Sequence, residues 1–406
     1  MLFVWKTKSD FECKVISRKT RLYMFANNIL YRILKTEKVF LLAAVATMAG
    51  SALLLVSSCI SQHQTCVLDS VSAIDSFPQC LDDGVEQEVD CGVAGVRDIR
   101  IRDHTILLST VNPDAYIVGL DLDSFQRKGS FLKKGNGPDE VLFPLFFSQM
   151  LLWEEGGHWF GNIVQRGRLL TIDITASLAA HATVLTSSRP VFIDDSNCMM
   201  HYPLDSIQVY LKTLSPDATR IERNISCKDS IYIPQEMGKL NRAHIKTTGD
   251  GSLFNVLSTI PVVRPGGGRI AEASISLNTI HLYDTEDAGN SKSLTLCVGK
   301  APSDIYRAEQ AIRPLRPVEF EAIRAYDSFF AALYLGTTSL DDVSDRRVKP
   351  RIMLFDWEGR PLAEIPLKVS CRSFEFDLAG KWLYLLDPDT ESLYRMDVSS
   401  LAIPGL

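Results

Sequence analysis

The residues able to do chemistry are scattered rather than grouped. The seven histidines are His63, His104, His158, His181, His201, His244 and His281. No two have H-E-x-x-H spacing, and no Cys/His set has zinc-finger spacing. There is no G-x-S-x-G turn to present a nucleophilic serine. Pro265-Gly266-Gly267-Gly268-Arg269 is glycine-rich but lacks the Lys-Ser/Thr of a phosphate loop, and reads as a hairpin. Asp387-Pro388-Asp389-Thr390-Glu391 alternates carboxylates as calcium loops do. It lacks their glycine and later glutamate, and reads as a turn between strands. Trp153, Trp159, Trp357 and Trp382 lie in apolar runs, where packing is the default role. The expectation is no catalytic residue, no cofactor and no obligatory metal. Asp194, Asp195 and Asp377 qualify it, because a closed fold can bring such distant carboxylates together.

Strand signals dominate the elements that must position these residues. Thr105-Ile106-Leu107-Leu108-Ser109, Leu169-Leu170-Thr171-Ile172-Asp173 and Lys381-Trp382-Leu383-Tyr384-Leu385-Leu386 are short apolar and β-branched runs bounded by turn residues. Strands do not alternate with helices, which argues against a parallel α/β domain. The best helical candidate is Ser303 to Ala325, interrupted by Pro314 and Pro317. An apolar strand closing on an acid recurs at Asp121, Asp173, Asp284, Asp356 and Asp397, and Ile207 to Lys212 reads as a degenerate copy. Six copies suit six four-stranded sheets, one element per sheet. Lys134-Gly135-Asn136-Gly137-Pro138 after one copy is echoed by Val298-Gly299-Lys300-Ala301-Pro302 after another. The last copy has only three strands before Leu406. Residues between Cys66 and Gly92 are expected to supply the fourth and close a ring, removing open sheet edges.

The N-terminus carries an export pattern. Arg32, Lys35 and Lys38 precede the apolar run Val39 to Val56, and Val56-Ser57-Ser58-Cys59 follows. The run is 18 residues long, near the lower limit for a membrane span. The small residues before Cys59 resemble the lipobox of bacterial lipoproteins, which implies acylation of Cys59. The organisation expected is a leader and signal peptide at 1–58, a tether at 59–65 and a single ring at 66–406. Seven further cysteines, Cys66, Cys80, Cys91, Cys198, Cys227, Cys297 and Cys371, would face an oxidising compartment. Most read as small buried hydrophobes, with a disulfide among Cys66, Cys80 and Cys91 left open.

Phe131-Leu132-Lys133-Lys134-Gly135-Asn136-Gly137-Pro138-Asp139-Glu140-Val141-Leu142-Phe143-Pro144 resembles the signature of NHL-type six-bladed propellers. Joined to a lipobox, it resembles the TolB-like six-bladed β-propeller lipoproteins of Bacteroidetes. The resemblance implies an all-β fold of four-stranded antiparallel blades. It implies a mainly structural role for Gly135, Gly137, Pro138, Glu140 and Pro144. It also implies a place in the cell envelope, anchored by lipid.

Charge narrows the partners. The chain has 43 basic and 49 acidic residues, and beyond residue 58 the balance is 34 against 46, a net of −12. That argues against nucleic acid and for a cationic or neutral partner. The function expected is non-catalytic binding of a protein, small molecule or glycan, on the periplasmic side of the outer membrane. The alternative is a metal-dependent, lactonase-like hydrolase using carboxylates at the ring's channel.

Overall fold

The computed structural model describes residues 64–406, apart from 192–197, 218, 244, 246–255, 287–291, 311–315, 339–349 and 388. The signal peptide, Cys59, Asp194 and Asp195 lie outside the described residues.

Short apolar and β-branched runs, many buried along their whole length, form strands packed on both faces, and tight turns pair each strand with the next. The outcome is six antiparallel sheets. Blade 1 is β3 (Val96–Arg102), β4 (Thr105–Thr110), β5 (Ile117–Asp121) and β6 (Arg127–Phe131). Blade 2 is β7 (Leu151–Glu155), β8 (His158–Gln165), β9 (Arg168–Asp173) and β10 (Leu185–Pro190). Blade 3 is β11 (Cys198–Pro203), β12 (Gln208–Leu214), β13 (Ile221–Cys227) and β14 (Ser230–Tyr232). Blade 4 is β15 (Thr259–Val263), β16 (Arg269–Ser274), β17 (Thr279–Asp284) and β18 (Leu294–Val298). Blade 5 is β19 (Pro317–Ala325), β20 (Phe329–Thr338), β21 (Arg351–Asp356) and β22 (Pro361–Pro366). Blade 6 is β23 (Ser373–Asp377), β24 (Trp382–Asp387) and β25 (Ser392–Asp397). The protein is a six-bladed β-propeller.

The recurring acids end the third strand of five blades, and at Asp121, Asp356 and Asp397 they hold the following turn. Asp121 accepts hydrogen bonds from the backbone of Asp123 and Ser124 and from the Ser124 hydroxyl. The Ser124 bonds hold its carboxyl down at about 2. Asp356 and Asp397 accept from Glu358 and Ser399 in the same way. Ile207 to Lys212 is not the sixth copy. It leads into β12, a second strand, and the third strand of blade 3 is β13, which ends on Cys227. With Cys227 in place the first steps become 52, 54 and 57 residues, and blade 3 loses its irregularity.

Ser303 to Ala325 divides into a short helix, Ile305–Gln310, and β19, the inner strand of blade 5. Phe320, Ala322 and Arg324 share the period of a strand, which prevails over the helical spacing. The N-terminal segment crosses three blades. β1 (Val71–Ile74) adds a fifth, parallel strand to β18. Cys80 bridges Glu364 on β22, and β2 (Gln87–Val89) pairs antiparallel with β25. Three outer edges are thus covered.

Buried apolar side chains fill the seams between blades. The seam between blades 5 and 6, with Phe329, Leu354, Phe374 and Leu385, is the most extensive. Between blades 2 and 3 the cluster shrinks to Val164, Leu169, Val209 and Leu211. There hydrogen bonds from His201 to the Val164 carbonyl and from Asn162 to the Asp205 carbonyl help join the blades.

Candidate functional site

Odd strands of each blade run toward one face and even strands return. The ends of the inner strands therefore gather at one mouth of the central channel. A cavity of about 1000 Å³ opens there, and every blade contributes to its wall. The other end is closed by a 3₁₀ turn, Phe147–Gln149, which touches β3, β11, β15 and β19. Phe147 is fully buried in it. The channel is therefore a funnel with a floor, open on one side.

The floor is a lattice of paired charges. Three inner strands and the residue after one of them supply it: Asp98 and Arg100, Arg324 and the following Tyr326, Ser373 and Glu375. Arg324 Nη2 donates to Asp98 Oδ1 at 2.5 Å and to the Ser373 hydroxyl at 3.0 Å. The other oxygen of Asp98 accepts from the Phe147 backbone at 2.7 Å, so the plug is bound to the same lattice. Arg100 Nη1 pairs with Glu375 Oε2 at 2.7 Å, and the Tyr326 hydroxyl donates to Glu375 Oε1 at 2.6 Å. Burial drives the Tyr326 phenol well above its ordinary pKa, with Glu375 adding to the shift.

The wall above carries donors and rings. Arg100 Nε and Trp159 Nε1 are buried with no hydrogen-bond partner among the described residues. Trp153 stacks on Phe160, ring centroids 5.5 Å apart. Burial raises the phenol of Tyr202, against the pull of Arg100 and Arg324. The mouth is acidic: eight carboxylates line the funnel against three guanidinium groups, Arg100, Arg102 and Arg264. That surplus favours a ligand with positive charge.

The residues singled out in the sequence fall in several places. Asp377 lines the funnel, where its side chain accepts from the Gly380 backbone at 3.1 Å. Trp153 and Trp159 line it too, whereas Trp357 and Trp382 do not. Pro265 to Arg269 is the hairpin between β15 and β16, and its glycines form part of the rim. Asp387 ends β24, and Asp389, Thr390 and Glu391 lie in the turn that leads to β25. Among the described residues no group of three or more His, Cys, Asp or Glu could hold a metal ion. Among the described residues no disulfide joins Cys66, Cys80 and Cys91, the pairing left open by the sequence. Cys66, Cys91, Cys297 and Cys371 are buried, and Cys80 is exposed.

The glycine-proline loop lies away from the funnel, between blades 1 and 2. Gly137 N–H donates to Glu140 Oε2 at 2.7 Å. A Cβ on Gly135 would stand 1.9 Å from that oxygen, so a larger residue there would push the Glu140 carboxylate out of its bond to Gly137. Arg166 of blade 2 clamps the loop through the carbonyls of Gly135 and Asn136.

Sequence reasoning missed Arg100, Tyr202, Arg324, Tyr326 and Glu375. The usable signal was alternation: Asp98, Arg100 and Arg102 on one face of β3, and Ser373, Glu375 and Asp377 on one face of β23.

No family model matches the sequence, and no curated protein does. Among solved structures the chain is similar to a member of the DUF4221 family from Bacteroides vulgatus. The TM-score is 0.45 at 10% identity, over 78% of this chain and 96% of that one. It is similar to Raptor from Chaetomium thermophilum at TM-score 0.42 and 11% identity, over 77% of this chain but only 29% of that one. It is similar to a streptogramin B lyase at TM-score 0.39 and 12% identity, over 78% and 98%. None of these likenesses carries an activity across.

Proposed function

We propose that this protein is a lipid-anchored envelope propeller that binds a ligand in the funnel without chemistry of its own. The observation that carries the reading is the funnel itself. It is closed at one end by Phe147, walled by all six blades and rimmed by excess carboxylate. A rigid ring with variable loops suits recognition. The ligand class favoured is a cationic peptide or amine, with a neutral glycan or a protein segment as the other candidates. Anchoring is through acylated Cys59, and the location proposed is the periplasmic side of the outer membrane. Two of the funnel carboxylates have structural work: Glu375 is held by Arg100 and Tyr326, and Asp205 accepts from the backbone of Ile207 and Gln208. That favours binding over the hydrolase alternative.

Two measurements test the reading. Mass spectrometry of the membrane fraction should find acyl chains on Cys59, and an intact peptide spanning residues 40–60 in the mature protein would remove the anchor. Calorimetric titration with cationic oligopeptides, polyamines and neutral oligosaccharides should give at least one saturable ligand. Its affinity should fall in Trp153→Ala and Glu155→Gln. Ligands indifferent to both substitutions would place binding outside the funnel.

A further inference from the structure

The funnel face is rich in carboxylate. The opposite face receives the chain: the Gln64 carbonyl accepts from the Ile305 backbone at 2.8 Å, in the connection that follows β18. The equivalent connection three blades away, after β6, lies on the same face. It exposes Leu142, Phe143 and Phe146 at 36%, 74% and 47%. Val111, in the neighbouring turn between β4 and β5, is 45% exposed. Apolar side chains exposed together in this way mark an interaction surface. Exposed Lys133, Lys134 and Arg166 flank them, against Asp114 and Asp139.

Chain length limits what this face can meet. Cys59 lies five residues before Gln64, and five residues reach at most about 18 Å. A lipid on Cys59 therefore holds this face, and not the funnel face, close to the bilayer. One tether alone would let the ring tilt. A second contact on the far side of the ring, at Phe143 and Phe146, would fix it. Because the tether is short, even a weak second contact becomes intramolecular and is strongly populated.

We propose that the face bearing Leu142, Phe143 and Phe146 rests on an anionic phospholipid surface, so that the funnel opens away from the membrane. The inference rests on the anchor reading at Cys59. Lys133 and Lys134 add attraction to the headgroups, and the carboxylates of the funnel mouth are repelled by the same surface.

The test uses the full acylated chain in vesicles of phosphatidylethanolamine and phosphatidylglycerol with bromine at shallow acyl positions. Phe143→Trp places an indole on the proposed contact, and Leu378→Trp places one on the funnel face, where Leu378 is 36% exposed. Apolar side chains at an interface sit about 5–10 Å into the boundary, so the emission added by F143W should fall by about half. The emission added by L378W should be unchanged. Raising the salt concentration should weaken the quenching in F143W. Equal emission from both variants in chains shown by mass to carry acyl groups would overturn the orientation while leaving the anchor intact. Chains without acyl groups and without quenching would remove both. Quenching without acylation would support the contact and remove the anchor.

Discussion

Two lattices of buried charge run through this ring, and they solve different problems. One floors the funnel and joins blades 1, 5 and 6 through Asp98, Arg100, Arg324 and Glu375. The other is sealed in the seam between blades 3 and 4. There Arg223 Nε donates to both oxygens of Glu272, at 2.9 and 3.0 Å. Tyr283 and Tyr210 donate to the same carboxylate at 2.7 and 3.1 Å. Lys212 Nζ stands 3.7 Å away and donates to Thr259. Burial alone would push the Glu272 carboxyl up, but Arg223, then Lys212 and His281, overcome it and hold the group well below the carboxylate range. Burial brings the Lys212 amine down to about 7 despite Glu272. The funnel lattice borders a cavity, so solvent or a ligand can replace a lost partner. The sealed lattice has no such recourse. The difference teaches that similar ion pairs are tolerant beside a cavity and unforgiving within a seam.

The largest way to break the contrast is to remove what covers the sealed lattice. The N-terminal segment does this: Leu68 N–H donates to Thr295 Oγ1 at 2.8 Å, and the same hydroxyl contacts His281 Nδ1 at 3.1 Å. Cys66 is buried in the same seam, where burial pushes its thiol up to about 11. Deleting residues 66–92 removes this cover together with β1 and β2, and exposes the edges of β18 and β25. The variant should lose its cooperative thermal transition, as followed by circular dichroism. A transition at the parental temperature would show that neither the cover nor the covered edges matter.

Single substitutions sharpen the same comparison. Arg223→Met leaves Glu272 with only Lys212 as a nearby cation, and should cost about 3–5 kcal/mol in urea unfolding. Arg100→Met should cost roughly 1–2 kcal/mol, because Glu375 keeps Tyr326 and Arg324 and can be rehydrated from the funnel. Equal losses would erase the distinction between the lattices.

The ring was legible in the sequence and the lattices were not, for one physical reason. Asp121, Asp356 and Asp397 end third strands because the turn that follows takes a local acceptor, so they repeat at short range. Blade 3 hid its third strand because Cys227 stands where the acid would be, while the apolar lead into Lys212 imitated one. Lattice partners meet only once the ring forms. Arg324 and Asp98 are 226 residues apart, and Arg100 and Glu375 are 275 apart. Lys212 looked like a degenerate turn residue, yet its side chain is buried beside Glu272. The covering strands were too short to show a pattern. Val71–Ile74 has nothing that announces a parallel partner on β18, and Gln87–Val89, three residues long, nothing that announces its pairing with β25.

A further effect is carried by pH and reads the sealed lattice alone. His281 is completely buried, and burial lowers its pKa from 6.5 to about 4, against an opposing pull from Glu272. The folded protein therefore keeps this imidazole neutral over a range where the unfolded chain protonates it. The unfolded state binds more protons between pH 4 and 6.5, so stability rises with pH across that window. It is lost as pH falls from 6.5 toward 4, by roughly 3 kcal/mol at 1.36 kcal/mol per unit. Lys212 acts with the same sign at higher pH, between about 7 and its ordinary 10.5, because its depressed amine also sheds a proton on folding. His281→Asn should flatten the acid-side slope while leaving the rise above pH 7 in place, as measured by urea unfolding at a series of pH values. Arg100→Met at the funnel floor should leave both slopes as they are. A slope between pH 4 and 6.5 that survives His281→Asn would move the titrating group out of the seam. The sealed lattice would then lose its claim to a distinct pH signature.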